Sequence, residues 1–150
     1  GAKGVGYTIY VGSEHEGEMM REFSLIEDEA HKAGLAVIAW MYPRGSKVVG
    51  KEHDKETVAY AARLGMELNA DYVKTYYTGD EESFKWVVKS AGKTGVLAQG
   101  GGKIGWERLE SEVRGIMAAG AKGLAIGRNV WQAERPVEVA EKLGKLVFTS

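Results

Sequence analysis

At 150 residues the chain is long enough for one substantial core, and its 44% hydrophobic and 27% charged residues are ordinary for a globular protein. The net charge of -1 gives no electrostatic argument for a nucleic-acid or membrane-surface partner. Cysteine is absent, which excludes disulfides, thiolate nucleophiles and zinc–thiolate sites, and no apolar run approaches bilayer-spanning length.

The chain opens Gly1-Ala2-Lys3-Gly4 without an initiator methionine and runs almost at once into a strand, so a piece cut or processed from something longer is expected. Val5 to Val11 reads as that strand. From about Glu16 to Ala33 the period becomes helical, with Met20, Phe23, Ile26 and Ala30 on one stripe. Leu35 to Met41 is a second strand, followed by a longer loop and a helix from about Asp54 to Leu68, striped by Val58, Ala61, Ala62 and Leu68. A third strand lies within Asp71 to Gly79, followed by a helix from Glu81 to Ala91 with Phe84, Val87 and Val88 inward. Val96 to Gln99 is a short fourth strand, and Glu107 to Ala119 a helix carrying Leu109, Val113, Ile116 and Met117. Gly123 to Ile126 is the fifth strand. Pro136 suits the first turn of a last helix, which runs to Val147. Ala33-Gly34, Asn69-Ala70 and Ala119-Gly120 are helix stop signals, because Gly and Asn tolerate the left-handed conformation.

Five strand–helix repeats imply parallel strands joined by right-handed crossovers. A doubly wound sheet and part of a (β/α)8 barrel both fit, and periodicity does not separate them. Every unusual residue lies at or after a strand's C-terminal end, where both architectures place their sites.

The most unusual is Lys74, in the middle of Tyr72-Val73-Lys74-Thr75-Tyr76. Val73 and Thr75 point to one face and Lys74 to the other, with Tyr72 and Tyr76. Strands of a parallel sheet are normally covered on both faces, so a mid-strand lysine needs a reason. A desolvated lysine keeps a free amine near neutral pH and can attack a carbonyl to form a Schiff base. The ordinary alternative is a buried stem whose ammonium pairs with a nearby Asp or Glu, and Lys74 alone favours it. The second strand ends Trp40-Met41-Tyr42-Pro43-Arg44-Gly45, and alternation puts Trp40 and Tyr42 on one face, where both can point towards Lys74. Tyr42 is then a plausible proton donor or acceptor, and the two rings a wall that excludes water. Packing alone would otherwise account for both. Arg44 reads equally well as a phosphate fork or a solvated loop charge.

Gln99-Gly100-Gly101-Gly102-Lys103 follows the fourth strand, and Gly127-Arg128-Asn129 the fifth. Glycines at these points let backbone amides converge on an anion, and paired loops after the last two strands of a barrel are a usual place for a phosphate. A flexible turn is the ordinary alternative. His15, His31 and His53 share no metal-ligand spacing on one helix, so no metal site is expected. No Gly-x-Ser-x-Gly elbow, Walker loop or dinucleotide fingerprint is present.

Taken in order, Gly6-Tyr7-Thr8-Ile9-Tyr10-Val11-Gly12-Ser13, Trp40 to Gly45, Val73 to Gly79, Gly100-Gly101 and Gly127-Arg128-Asn129-Val130-Trp131-Gln132 resemble the archaeal-type class I fructose-1,6-bisphosphate aldolases of the DhnA/DeoC-like group. The resemblance covers essentially the whole chain. It implies a (β/α)8 TIM barrel whose sixth strand carries the Schiff-base lysine at Lys74, with Tyr42 as catalytic tyrosine and Trp40 as an active-site tryptophan beside it. It further implies a phosphate site at Gly100, Gly101, Gly127 and Arg128, with Lys103 and Arg44 as further contributors. No metal or dissociable cofactor is implied. The implied setting is a cytoplasmic homo-oligomer acting on a small sugar phosphate in glycolysis or gluconeogenesis.

The match is to strands four to eight only. The expectation for residues 1–150 is therefore one partial barrel of five β-α units, the C-terminal portion of a family-length barrel. Five strands leave two edges and an apolar inner face exposed. The chain is then part of a longer polypeptide, is completed from elsewhere, or self-associates; the first is expected, with weak or no activity for the piece alone. Three functions remain open: fructose 1,6-bisphosphate aldolase, a related Schiff-base carboligase or transaldolase-like enzyme, and a non-catalytic phosphate-binding half-barrel.

Overall fold

Strand and helix alternate along the whole chain in the computed structural model, which describes residues 1–148. In chain order the elements are β1 (Gly4–Val11), α1 (Glu16–Lys32), β2 (Ala36–Pro43), a 3-10 turn (Ser46–Val48), α2 (Lys55–Glu67), β3 (Tyr72–Thr75) and α3 (Glu81–Ser90). They continue with β4 (Gly95–Gln99), α4 (Trp106–Ala118), β5 (Gly123–Ala125), α5 (Arg128–Trp131) and α6 (Pro136–Phe148). The three expected stop signals all have positive φ: Gly34 at 70°, Asn69 at 61° and Gly120 at 92°. Helix α3 starts at an Asp80 cap, whose carboxylate accepts from the Ser83 amide at 2.9 Å. Two short elements were not anticipated, the 3-10 turn and α5, because three or four residues are too few to display a period. Strand β2 also runs past Met41 to Pro43. Pro43 is tolerated there because β2 pairs with β3 only as far as Trp40.

The strands form one parallel sheet in the order β1-β2-β3-β4-β5. A doubly wound sheet reverses its strand order at a switch point, whereas this order is sequential, as in a (β/α)8 barrel wall. Register aligns Thr8, Trp40, Lys74, Leu97 and Gly123 in one row across all five strands. Side chains in that row share a face, because parallel partners point the same way.

The opposite, helix-facing side is sealed. Ile9, Val11, Val37, Ala39, Met41, Val73, Val96 and Ala98 pack there against Phe23, Val58, Ala61, Ala62, Phe84 and Val87, and none is more than 1% exposed. Each large member stabilises the fold by about 1.5–3 kcal/mol through burial. A smaller cluster, Leu109, Val113 and Leu143, joins α4 to α6. On the inner face Tyr10, Trp40 and Tyr72 remain 40%, 38% and 37% exposed.

At the N-terminal ends of the strands His31 lies between two carboxylates, with Nδ1 2.5 Å from Glu27 and Nε2 2.9 Å from Asp71. Asp71 also accepts from the Val37 amide at 2.8 Å, which ties α1 to β2 and to the start of β3. Among the described residues no helix is long and apolar enough to cross a membrane.

Candidate active site

Lys74 lies beside Trp40 in the register, with its ammonium 5.3 Å from the Trp40 ring centroid and 5.7 Å from that of Tyr42. Ring faces attract a cation at this range. Strand alternation puts all three on the inner face, as their order in the chain requires. The ordinary alternative for Lys74 is not realised: among the described residues it enters no salt bridge. Trp40 lies across β1 at Gly6, where a Cβ would stand 2.9 Å from the indole. The aromatic wall is one-sided, however. Lys74 is half-buried and the inner face in front of it is open, so the expected exclusion of water is only partly realised.

A cavity of about 660 Å³ extends from Arg44 and Tyr76, past Lys74, to Gly100–Gly102 and Arg128, within the size range of small-molecule sites. Of the residues anticipated from sequence, Tyr42, Arg44, Lys74, Gly100, Gly101 and Arg128 line it. Trp40, Lys103 and Gly127 do not. Lys103 donates from Nζ to the Gln132 carbonyl at 2.6 Å, so its ammonium ties the first glycine loop to the C-terminal end of α5 rather than facing the cavity. Gly127 precedes α5 and packs under Trp131, whose ring a Cβ there would meet at 2.0 Å. The Gly100 amide is turned to the Ala125 carbonyl at 3.4 Å. The amides of Gly101, Gly102 and Arg128 donate to no other protein group among the described residues.

Three residues emerge only in the folded chain. Asn129, 6% exposed, accepts from the Ile104 amide at 2.8 Å and donates to the Gly102 carbonyl at 3.1 Å, clamping one glycine loop to the other. Tyr76 accepts at its hydroxyl from Arg44 Nε at 2.7 Å. That hydrogen bond raises the Arg44 pKa, and burial opposes it. His53 packs its ring 4.4 Å from that of Tyr76 and lines the same cavity. Spacing rules for metal ligands gave His53 no weight, since its partners lie more than twenty residues downstream. Tyr77, also in the lining, has its pKa raised by burial and then by Asp80, Glu112 and Glu81.

The sequence profile of the DeoC/LacD family aldolases matches residues 1–133. The chain is 48% identical over 149 residues to fructose-bisphosphate aldolase class 1 of Thermoproteus tenax, an alignment covering 99% of this chain and 56% of that protein. It is 43% identical over 149 residues to the fructose-bisphosphate aldolase/6-deoxy-5-ketofructose 1-phosphate synthase of Methanocaldococcus jannaschii, covering 97% of this chain and 47% of that one. Among solved structures it superimposes on an archaeal fructose-1,6-bisphosphate aldolase whose catalytic lysine is covalently bound to the carbinolamine intermediate of its substrate. That match has a TM-score of 0.94 at 47% identity and covers 98% of this chain and 59% of the other. The chain thus spans about half the length of the curated relatives it matches. With a profile match over most of its residues and a sheet ordered as in a (β/α)8 barrel, the chain belongs to the DeoC/LacD family of aldolases.

Proposed function

We propose that the chain carries the Schiff-base half of a class I aldolase that reversibly cleaves fructose 1,6-bisphosphate to dihydroxyacetone phosphate and glyceraldehyde 3-phosphate. The observation that carries this reading is Lys74: a mid-strand ammonium without a counter-ion among the described residues, beside Tyr42, on a cavity with cationic or amide donors at either end. The carbinolamine on the catalytic lysine of the superimposed aldolase supports it.

In this reading Lys74 first gives up its ammonium proton to solvent, the free Nζ amine adds to the ketose C2 carbonyl, and the carbinolamine loses water to form an iminium ion. As the C4 hydroxyl gives up its proton the C3–C4 bond breaks, and its electron pair flows into the iminium to leave an enamine. Tyr42 shuttles the proton that returns to C3, and hydrolysis then frees Lys74 and dihydroxyacetone phosphate. The amides of Gly101, Gly102 and Arg128 hold the C1 phosphate and the Arg44 guanidinium faces the C6 phosphate, so that C2 is presented to the amine. Trp40 flanks the amine from the β2 side.

The five units act as the C-terminal portion of an eight-unit barrel, a reading supported by the exposed inner-face aromatics and by the relatives' greater length. The same reading makes the enzyme a cytoplasmic homo-oligomer. Sedimentation of the natural polypeptide tests the assembly.

A second reading, a Schiff-base carboligase on another sugar phosphate, is favoured by the dual activity named for the Methanocaldococcus relative. Substrate profiling separates the two. The deciding experiment is borohydride reduction in the presence of dihydroxyacetone phosphate, followed by peptide mass mapping. An adduct on Lys74, lost in Lys74→Met, is the expected result. An unmodified Lys74 in the natural polypeptide would overturn both Schiff-base readings.

A further inference from the structure

Away from the glycine loops, the cavity lining includes three residues joined by contacts across different elements: Arg44 after β2, His53 before α2, and Tyr76 just past β3. We propose that Tyr76 is a positioning residue, which holds the Arg44 guanidinium as a fixed fork for the substrate phosphate distal to the glycine loops, with His53 bracing the Tyr76 ring. The inference rests on the aldolase reading above and adds how its second anion pole is held in place.

An arginine in a loop loses rotamer entropy when a ligand orders it, unless the fold has ordered it already. Here the fold has done so. Tyr76 takes the Nε hydrogen at 2.7 Å, and the guanidinium carbon stands 5.1 Å from the Tyr42 centroid and 6.0 Å from that of Tyr76. With Nε engaged, the terminal amino groups remain as the donor pair that matches a phosphate edge. Among the described residues no carboxylate forms a salt bridge with Arg44 to compete for that pair.

Tyr76 is itself held. It is 8% exposed, with its ring 6.1 Å from Tyr42 and 4.4 Å from His53. His53 Nδ1 lies 3.3 Å from the Tyr77 carbonyl, which can only accept, so Nδ1 is the protonated nitrogen of that contact. The imidazole is thereby anchored to the backbone next to the tyrosine it covers. The phenol is thus held both by its ring contacts and through its hydroxyl, and Arg44 inherits that order.

The test compares fructose 1,6-bisphosphate with fructose 1-phosphate on the natural polypeptide, using Tyr76→Phe, His53→Ala, Arg44→Gln and the Tyr76→Phe/Arg44→Gln double variant. Steady-state kinetics and borohydride trapping on Lys74 are the readouts. Tyr76→Phe is expected to raise KM for the bisphosphate about tenfold with kcat within about twofold, and to leave half-saturation by fructose 1-phosphate unchanged. His53→Ala should produce a smaller shift of the same selectivity. On the Arg44→Gln background Tyr76→Phe should add nothing, because its effect runs through the guanidinium. Equal losses with both sugars, no loss with either, or additivity with Arg44→Gln would overturn the inference while trapping on Lys74 leaves the aldolase reading standing. A Lys74 that takes no adduct in the unsubstituted protein would overturn both.

Discussion

The two faces of the sheet are made by alternate residues of the same strands, yet they follow opposite rules. On the helix side Val37, Ala39, Met41, Val73, Val96 and Ala98 are sealed to within 1% of complete burial. On the inner side their neighbours Trp40, Lys74 and Leu97 remain partly accessible, in register from strand to strand. An ammonium on the sealed side would lose its hydration with no counter-ion, at a cost of several kcal/mol. On the inner side it keeps solvent and gains two ring faces. The helix-facing layer therefore holds the sheet in shape, and the inner layer is free to carry groups that would be intolerable in a core.

The sharpest way to break this comparison is to truncate one large aromatic on each side. Phe84→Ala, on the sealed side, should cost about 3–5 kcal/mol in denaturant unfolding. Trp40→Ala, on the open side, should cost about 1 kcal/mol or less. Equal losses would mean that the inner face contributes to stability as a core does.

Asn129→Ala tests whether the open side has structural joints of its own. It leaves the Ile104 amide and the Gly102 carbonyl without their partner, so a loss of about 1–3 kcal/mol is expected, together with weaker half-saturation by dihydroxyacetone phosphate. A stability loss without any change in half-saturation would detach the clamp from anion binding.

The pH dependence of unfolding probes the strand ends remote from the cavity. His31 has its pKa raised, first by its hydrogen bond to Asp71, against some desolvation. Its contribution is complete below the ordinary histidine value of about 6.5 and is lost as pH climbs through the raised folded value. Burial works against the charge on Asp71, but the Val37 amide and His31 outweigh it and hold its pKa below the ordinary carboxylate value. That contribution is present above about 3.9 and fades as pH falls through the depressed value. Stability from the pair should therefore be greatest in mildly acidic solution, and His31→Gln should flatten the decline that sets in as pH rises past about 6.5. An unchanged profile in that variant would remove the network from the account.

The smallest effect belongs to a polar group caught on the sealed side. Thr75 is fully buried and its hydroxyl has no partner among the described residues. Thr75→Val keeps the shape and should raise stability by about 1 kcal/mol, read as a higher denaturant midpoint at constant slope. A lowered midpoint would show that the hydroxyl is satisfied after all.

What the sequence by itself determined is local. Alternation along each strand separated Val73 and Thr75 from Lys74, and placed Trp40 and Tyr42 on one face. Helical spacing marked Phe23, Phe84, Val87 and Val113 as core, and Gly34, Asn69 and Gly120 stop their helices as left-handed residues should. These features are set within a few residues, because backbone geometry fixes which way the next side chain points. Only the tertiary structure decided the sequential strand order, and with it the row that joins Trp40 to Lys74 across two strands. It also turned the Lys103 ammonium away to Gln132, and brought Asn129, Tyr76 and His53 into contacts that link residues more than twenty positions apart. Such contacts depend on where loops close after the strands have aligned, and no periodicity of the chain encodes that distance.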